Sequence, residues 1–188
     1  MICCWHTLTP TTPGRIVGPP HPKPTMNLSD PISEHFIWFD YLHSDTAAKL
    51  GVDLSNPPDD IVENIKQVNA KEEEARAILG VPLSNSCCWR PLIVNQALKS
   101  SDTSAHVLAL GVDMLPHGLA VEDAFNKLAD HPTFMATVDQ LIIERGCVHM
   151  GLAVPAHNTI PRCELRGEAY DPDGTRHYPL LRVWKVQS

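Results

Sequence analysis

Several marks of large functional classes are scarce or missing in this chain. Aromatic side chains make up only 6% of its 188 residues, too few to build the base-stacking platforms of a single-strand binder. An excess of cations is absent as well. Fifteen Lys and Arg stand against 22 Asp and Glu, for a formal net charge of −7 and a pI near 5.7. That balance excludes the basic face on which nucleic-acid binding depends, so no nucleic-acid partner is expected. No apolar run reaches the length of a transmembrane helix, so membrane insertion is not expected either. Residues 1–25 carry Pro and Thr where the apolar core of an export leader would sit. The chain is therefore expected to be cytoplasmic at synthesis, and a monomer.

Cysteine is present but not in a disulfide pattern. Four of the six Cys form the adjacent pairs Cys3-Cys4 and Cys87-Cys88, and in a reducing compartment they read as free thiols.

What is there suits one domain with a tail. Residues 1–25 hold six of the 17 Pro and no periodic pattern, which predicts a disordered Pro-rich extension. Residues 26–188 read as a single domain whose 43% apolar content can fill a core. Phe36, Trp38 and Phe39 are expected to cap that core as an aromatic cluster. Asn56-Pro57-Pro58-Asp59-Asp60 predicts a helix start, with acids near the positive helix end. Ile61, Ile65 and Val68 repeat at helical spacing until Gly80 and Pro82 end the element. Glu72-Glu73-Glu74 reads as its solvated face. Shorter helices are predicted over Pro91 to Lys99 and Val121 to Leu128.

Strands dominate the second half. Leu108 to Met114 alternates with period two, and Asp139 to Glu144 and Cys147 to Val154 read as two further strands joined at Arg145-Gly146. Residues 162–186 read as a closing hairpin turning at Asp171-Pro172-Asp173-Gly174-Thr175. Helices first and antiparallel strands later predict an α+β fold, with N-terminal helices packed on a small antiparallel sheet.

The strand faces carry the chemistry. Asp113 shares its face with Ala109 and Gly111, and His149 shares its face with Cys147, Gly151 and Ala153. Small neighbours leave room above the sheet for a metal, a water and a substrate. With His106 in Ser104-Ala105-His106, these residues offer two imidazoles and one carboxylate. That donor set leaves a zinc coordination position open, as hydrolytic sites require. Read alone, a single His in a strand is more often a hydrogen-bonded core or surface residue than a ligand. Cys147, His149, His157 and Cys163 form a competing set for a closed structural site.

Taken in order, Trp89-Arg90-Pro91, Asn95, Ser104-Ala105-His106, Asp113, Asp139-Gln140-Leu141-Ile142 and Val148-His149 resemble the zinc D-Ala-D-Ala carboxypeptidase-like peptidases. That family includes D-alanyl-D-alanine dipeptidases and phage peptidoglycan endopeptidases. Its signature is a Ser-x-His, an Asp seven residues after the His, and a second His on a later strand. The resemblance spans about residues 33–154. It implies the hedgehog/D-Ala-D-Ala peptidase-like fold, a Zn²⁺ cofactor held by His106, Asp113 and His149, and peptidoglycan stem peptides as substrate. Arg90 would then hold the substrate carbonyl or the developing oxyanion, with Ser104 and Asn95 contacting substrate. Release to the cell wall during phage lysis would bring such an enzyme to its substrate.

The departures from the family pattern are specific. Relatives often place an acid three residues before the last His, where this chain has Gly146. Glu144, five residues before His149, is the nearest acid and is expected to be the general base. Lys99-Ser100 stands where relatives commonly have Gly-Gly, and Cys147 where many have Trp. These changes leave a second reading open: a catalytically degenerate zinc-binding or virion module of the same fold.

Overall fold

The computed structural model describes residues 26–153 and 162–183, so the expected extension over residues 1–25 lies outside the described residues. The architecture is α+β: helices gather in the first half, and a mixed, mostly antiparallel sheet follows. Among the described residues no helix is long and apolar enough to cross a membrane.

Two short helices, α1 (Trp38–Leu42) and α2 (Asp45–Leu50), open the domain. Ser44 caps α2 by accepting from the Ala47 amide at 3.2 Å. The aromatic cluster expected here divides. Phe36 is buried edge-on to Tyr41 at 6.0 Å, and Trp38 packs partly buried against the core. Phe39 is 44% exposed and stacks on His43.

Helix α3 (Asp59–Leu79) is the long element that its punctuation predicts. Pro58 stands at the N-cap, Asp59 and Asp60 fill the first turn, and Gly80 ends the helix at φ 72°. Its buried stripe runs Ile61, Ile65, Val68, Glu72, Ala75 and Leu79. Glu72 therefore corrects the solvated-face reading of the acidic run, since its side chain is fully buried. The reason is spacing: position 72 falls four residues after Val68 and three before Ala75, on the inward stripe. Glu72 accepts hydrogen bonds from the Tyr41 hydroxyl at 2.7 Å and the Asn85 amide at 3.1 Å.

The main sheet contains β1 (Leu83–Cys87), β2 (Gly111–Pro116), β3 (Gln140–Glu144), β4 (Cys147–Gly151), β5 (Glu164–Gly167) and β8 (Leu180–Val183). Its strand order is β1-β2-β4-β3-β5-β8, antiparallel except where β3 meets β5. A two-stranded ribbon of β6 (Ala169–Tyr170) and β7 (Arg176–His177) extends from it. The expected closing hairpin is present but broken in two: β6 pairs β7 near the turn, and β5 pairs β8 nearer its base. Residues 184–186 of that expectation lie outside the described residues.

One face of the sheet is the core face. Val112, Met114, Val148, Met150 and Leu141 are buried there, covered by α3 and by α5 (Val121–Ala129), which presents Ala124, Phe125 and Leu128. Two shorter helices complete the domain, α4 (Leu92–Ala97) and α6 (Pro132–Met135). The predicted helix over Pro91 to Lys99 is thus shorter, stopping before Lys99 at φ 54°.

The strand predicted to begin at Leu108 begins at Gly111 instead. Ala105–Leu108 form a 3₁₀ turn, and Ala109 closes it in the left-handed region at φ 54°. The Leu110 amide then bonds the Ala105 carbonyl at 2.9 Å. Alternating apolar residues across 108–114 hid this turn, because a tight turn feeding a strand can carry the same alternation.

Candidate metal centre

Antiparallel pairing creates the first half of the site. Asp113 on β2 stands opposite His149 on β4, and both side chains leave the sheet on the face away from the core. His106 arrives from above, on the 3₁₀ turn that precedes β2. The turn can lie close over the strands because small residues line the approach. A Cβ added at Gly111 would stand 3.0 Å from His149 Cε1, 3.1 Å from Ala105 Cβ and 3.3 Å from the His106 amide nitrogen. Glycine at 111 is therefore a packing requirement of the site.

The three side chains expected as ligands converge. His149 Nδ1 lies 2.8 Å from Asp113 Oδ1, His106 Nε2 lies 3.2 Å from the same oxygen, and the two ring nitrogens are 3.1 Å apart. His106 and His149 are buried, and Asp113 keeps a 14% exposed side chain. Ligand atoms 2.0–2.1 Å from a tetrahedral zinc lie roughly 3.3 Å from one another, so this triangle has the dimensions of one face of such a site.

Protons sharpen the point. His106 Nδ1 lies 2.7 Å from the Cys88 carbonyl, which can only accept, so Nδ1 carries the hydrogen and Nε2 presents a lone pair. Burial lowers the pKa of His106, against the pull of Asp113. Burial acts to raise the carboxyl of Asp113, but the two adjacent imidazoles outweigh it and hold the group well below the usual range. His106 Nε2, His149 Nδ1 and Asp113 Oδ1 thus converge, and each is an atom that can give a lone pair to a metal. A cation satisfies all three.

Further ligating groups stand close by. Cys87, His106 and Asp113 form one set whose ligand atoms lie within 4.8 Å of one another, and Asp113, Glu144 and Cys147 form a second. Burial pushes the Cys87 thiol up to about 12. Of the described cysteines, Cys87, Cys88 and Cys147 are free thiols.

Glu144 reaches this neighbourhood from the end of β3, across the turn at Gly146 that separates it from Cys147. Its carboxyl is pushed up first by burial and then by the charge of Asp113, with His149 and the nearby Tyr178 hydroxyl opposing. Neither Tyr178 nor the nearby charge of Arg176 was flagged by any motif. Both belong to the hairpin that folds back over Glu144, and only tertiary contact reveals them.

Arg90 follows β1, with its amide donating to the His106 carbonyl at 3.0 Å. Its positive charge reaches His106 and Cys87. Its Nε is buried without a hydrogen-bond partner among the described residues, and a buried donor left so is uncommon. Buried Trp89 beside it fixes the backbone by donating its amide to the Tyr41 carbonyl at 3.2 Å.

The other expected substrate contacts are placed differently. Asn95 is fully buried on α4, and its amide donates to the Ser101 carbonyl at 2.7 Å. It closes the loop that leads to His106. Ser104 is half-buried and opens the 3₁₀ turn, two residues from His106. The competing closed site needs His157, which lies outside the described residues, while His149 is already committed to Asp113 and His106. Comparison with family models, with curated proteins and with solved structures finds no match to this chain.

Proposed function

We propose that this chain is a zinc-dependent peptidase acting on D-amino-acid-containing peptides of peptidoglycan. The observation that carries the reaction class is the convergence of His106 Nε2, His149 Nδ1 and Asp113 Oδ1 within 3.2 Å of one another. Two neutral imidazoles and one carboxylate suit Zn²⁺, and the ion held by them would polarise a peptide carbonyl and acidify water. The substrate class rests on the ordered resemblance of Trp89-Arg90-Pro91, Ser104-Ala105-His106, Asp113 and Val148-His149 to the D-Ala-D-Ala peptidases.

The remaining chemistry falls to side chains at the rim. Glu144, raised by burial, is poised to take the proton of the attacking water and return it to the leaving amine. Tyr178 orients that carboxylate. Arg90, with a buried and unpartnered Nε, would donate to the carbonyl oxygen as negative charge develops there. Cys88 acts through its backbone, holding the His106 tautomer.

Incubation of the zinc-loaded protein with purified muropeptides, followed by mass analysis, tests the reading. Release of D-Ala or of cleaved stem peptides, abolished by a chelator and restored by zinc, is the expected result. Zinc binding with intact muropeptides would favour the degenerate module instead, a reading motivated by Gly146 standing where relatives carry an acid.

A further inference from the structure

We propose that Cys87 is a fourth protein ligand of this centre, so that the bound ion sits among two imidazole nitrogens, one carboxylate oxygen and one thiolate sulfur. The inference rests on the metal reading above and goes beyond the two His and one Asp that the sequence motifs supply.

Register carries the argument. Asn85 on β1 pairs with Met114 on β2, and regular antiparallel pairing would then bring Ser86 level with Asp113 and Cys87 level with Val112. Val112 is a core residue, so a regular strand would send the Cys87 thiol into the core. The ladder instead shifts between Asn85 and Cys87, and Cys87 pairs with Asp113. A bulge re-aims side chains from one face to the other, and such bulges gather beside functional sites. Here it turns one thiol out of the core and onto the row that continues through Asp113 to His149.

The second observation is distance. The Cys87 sulfur, His106 and Asp113 offer ligand atoms within 4.8 Å of one another. The imidazole and carboxylate atoms are spaced as one face of a tetrahedron, and Cys87 borders that face. Sulfur binds zinc at about 2.3 Å rather than 2.0–2.1 Å, so a thiolate ligand stands somewhat farther from its fellow ligands than nitrogen or oxygen would. On binding, the thiol proton leaves to solvent as the metal–sulfur bond forms, and no group changes oxidation state. Cys147 is not equivalent. Its thiol is directed at Glu144 Oε2, at 3.8 Å, and its cluster contains neither imidazole. With four protein ligands the resting ion resembles a closed site, and turnover requires a fifth ligand to add or Cys87 to give way.

Cobalt(II) substitution in the full chain tests this, because a thiolate bound to cobalt gives a near-ultraviolet charge-transfer band that nitrogen and oxygen ligands lack. The expected result is visible ligand-field bands with a charge-transfer band in the wild type. Cys87→Ser should keep the first and lose the second, while Cys147→Ser keeps both. Ligand-field bands without charge transfer in the wild type would overturn the Cys87 assignment and leave the metal site standing. So would a charge-transfer band that survives Cys87→Ser or vanishes in Cys147→Ser. A wild-type protein that takes up no cobalt would overturn the metal reading itself, and this inference with it. Circular dichroism of the metal-free variants checks folding. Should Cys87→Ser not fold, the wild-type and Cys147→Ser spectra still decide between the two thiols.

Discussion

His106 Nδ1 lies 2.7 Å from the backbone carbonyl of Cys88. That contact ties the end of β1 to the turn before β2 and fixes which imidazole nitrogen carries hydrogen. The carbonyl is a main-chain group, so it holds the tautomer whatever side chain position 88 bears. The neighbouring backbone bond from the Arg90 amide to the His106 carbonyl, at 3.0 Å, clamps the same junction from the other side. The ligand face is thus presented by paired backbone, and a site built that way is preorganised before any ion arrives.

Removing a ligand should remove the metal. Asp113→Ala and His106→Ala are each expected to bring bound zinc from near-equimolar to trace after dialysis, as read by elemental analysis. Asp113→Ala also deletes the oxygen shared by both imidazoles. Zinc retained at wild-type stoichiometry in both variants would refute the triad.

Glu144→Gln separates chemistry from binding. Zinc content should be unchanged, and muropeptide cleavage should fall by roughly 10²–10⁴-fold, the usual contribution of a positioned acid–base. Tyr178→Phe, which removes only the hydroxyl near Glu144, should give a smaller loss of kcat with KM retained. Near-normal turnover in Glu144→Gln would assign the proton transfer elsewhere.

Arg90 offers a sharper distinction between charge and geometry. Arg90→Lys keeps the charge but loses the planar fork of donors. If its buried, unpartnered Nε serves the oxyanion, kcat should drop by about 10²–10³-fold, with zinc bound as before. A loss confined to KM would make Arg90 a ground-state contact instead.

Gly111→Ala is expected to strain the site through space. The added methyl meets Ala105 Cβ and the His106 backbone, neither of which can swing aside, as well as His149 Cε1. Overpacking of this kind costs about 1–3 kcal/mol, and the same shift should weaken zinc binding. Denaturant unfolding and a zinc competition titration would both register it; unchanged values in both would contradict the close approach.

Glu72 sets a pH dependence of stability. Burial raises its carboxyl to about 8 from 4.5, with the Tyr41 and Asn85 hydrogen bonds opposing. A raised folded-state pKa means that the folded state holds the proton more tightly than the unfolded chain. The stabilisation is therefore complete below about 4.5 and is lost as pH climbs through about 8. Glu72→Gln, which mimics the protonated form, should gain stability relative to wild type as pH rises across that window. A difference in thermal midpoint that stays flat with pH would rule this out.

Where the chain's own residues sufficed, the governing physics was local. The ends of α3 follow from Pro58, Asp59, Asp60 and Gly80, because caps and the helix dipole act over a single turn. The two faces of β2 and β4 follow from the alternation of Val112 and Met114 with Asp113, and of Val148 and Met150 with His149. What tertiary structure alone decided are relationships between segments far apart in the chain. Glu72 is buried because its helical face meets Tyr41 and Asn85. His106 rides a 3₁₀ turn because Gly111 and Ala105 let that turn settle onto the sheet. Cys87 faces Asp113 because the ladder slips at a bulge, and Tyr178 reaches Glu144 because the final hairpin folds back. Period and capping carry no information about register between strands or about which distant side chain fills a gap. Those are settled by packing, where one residue's displacement changes every neighbour at once.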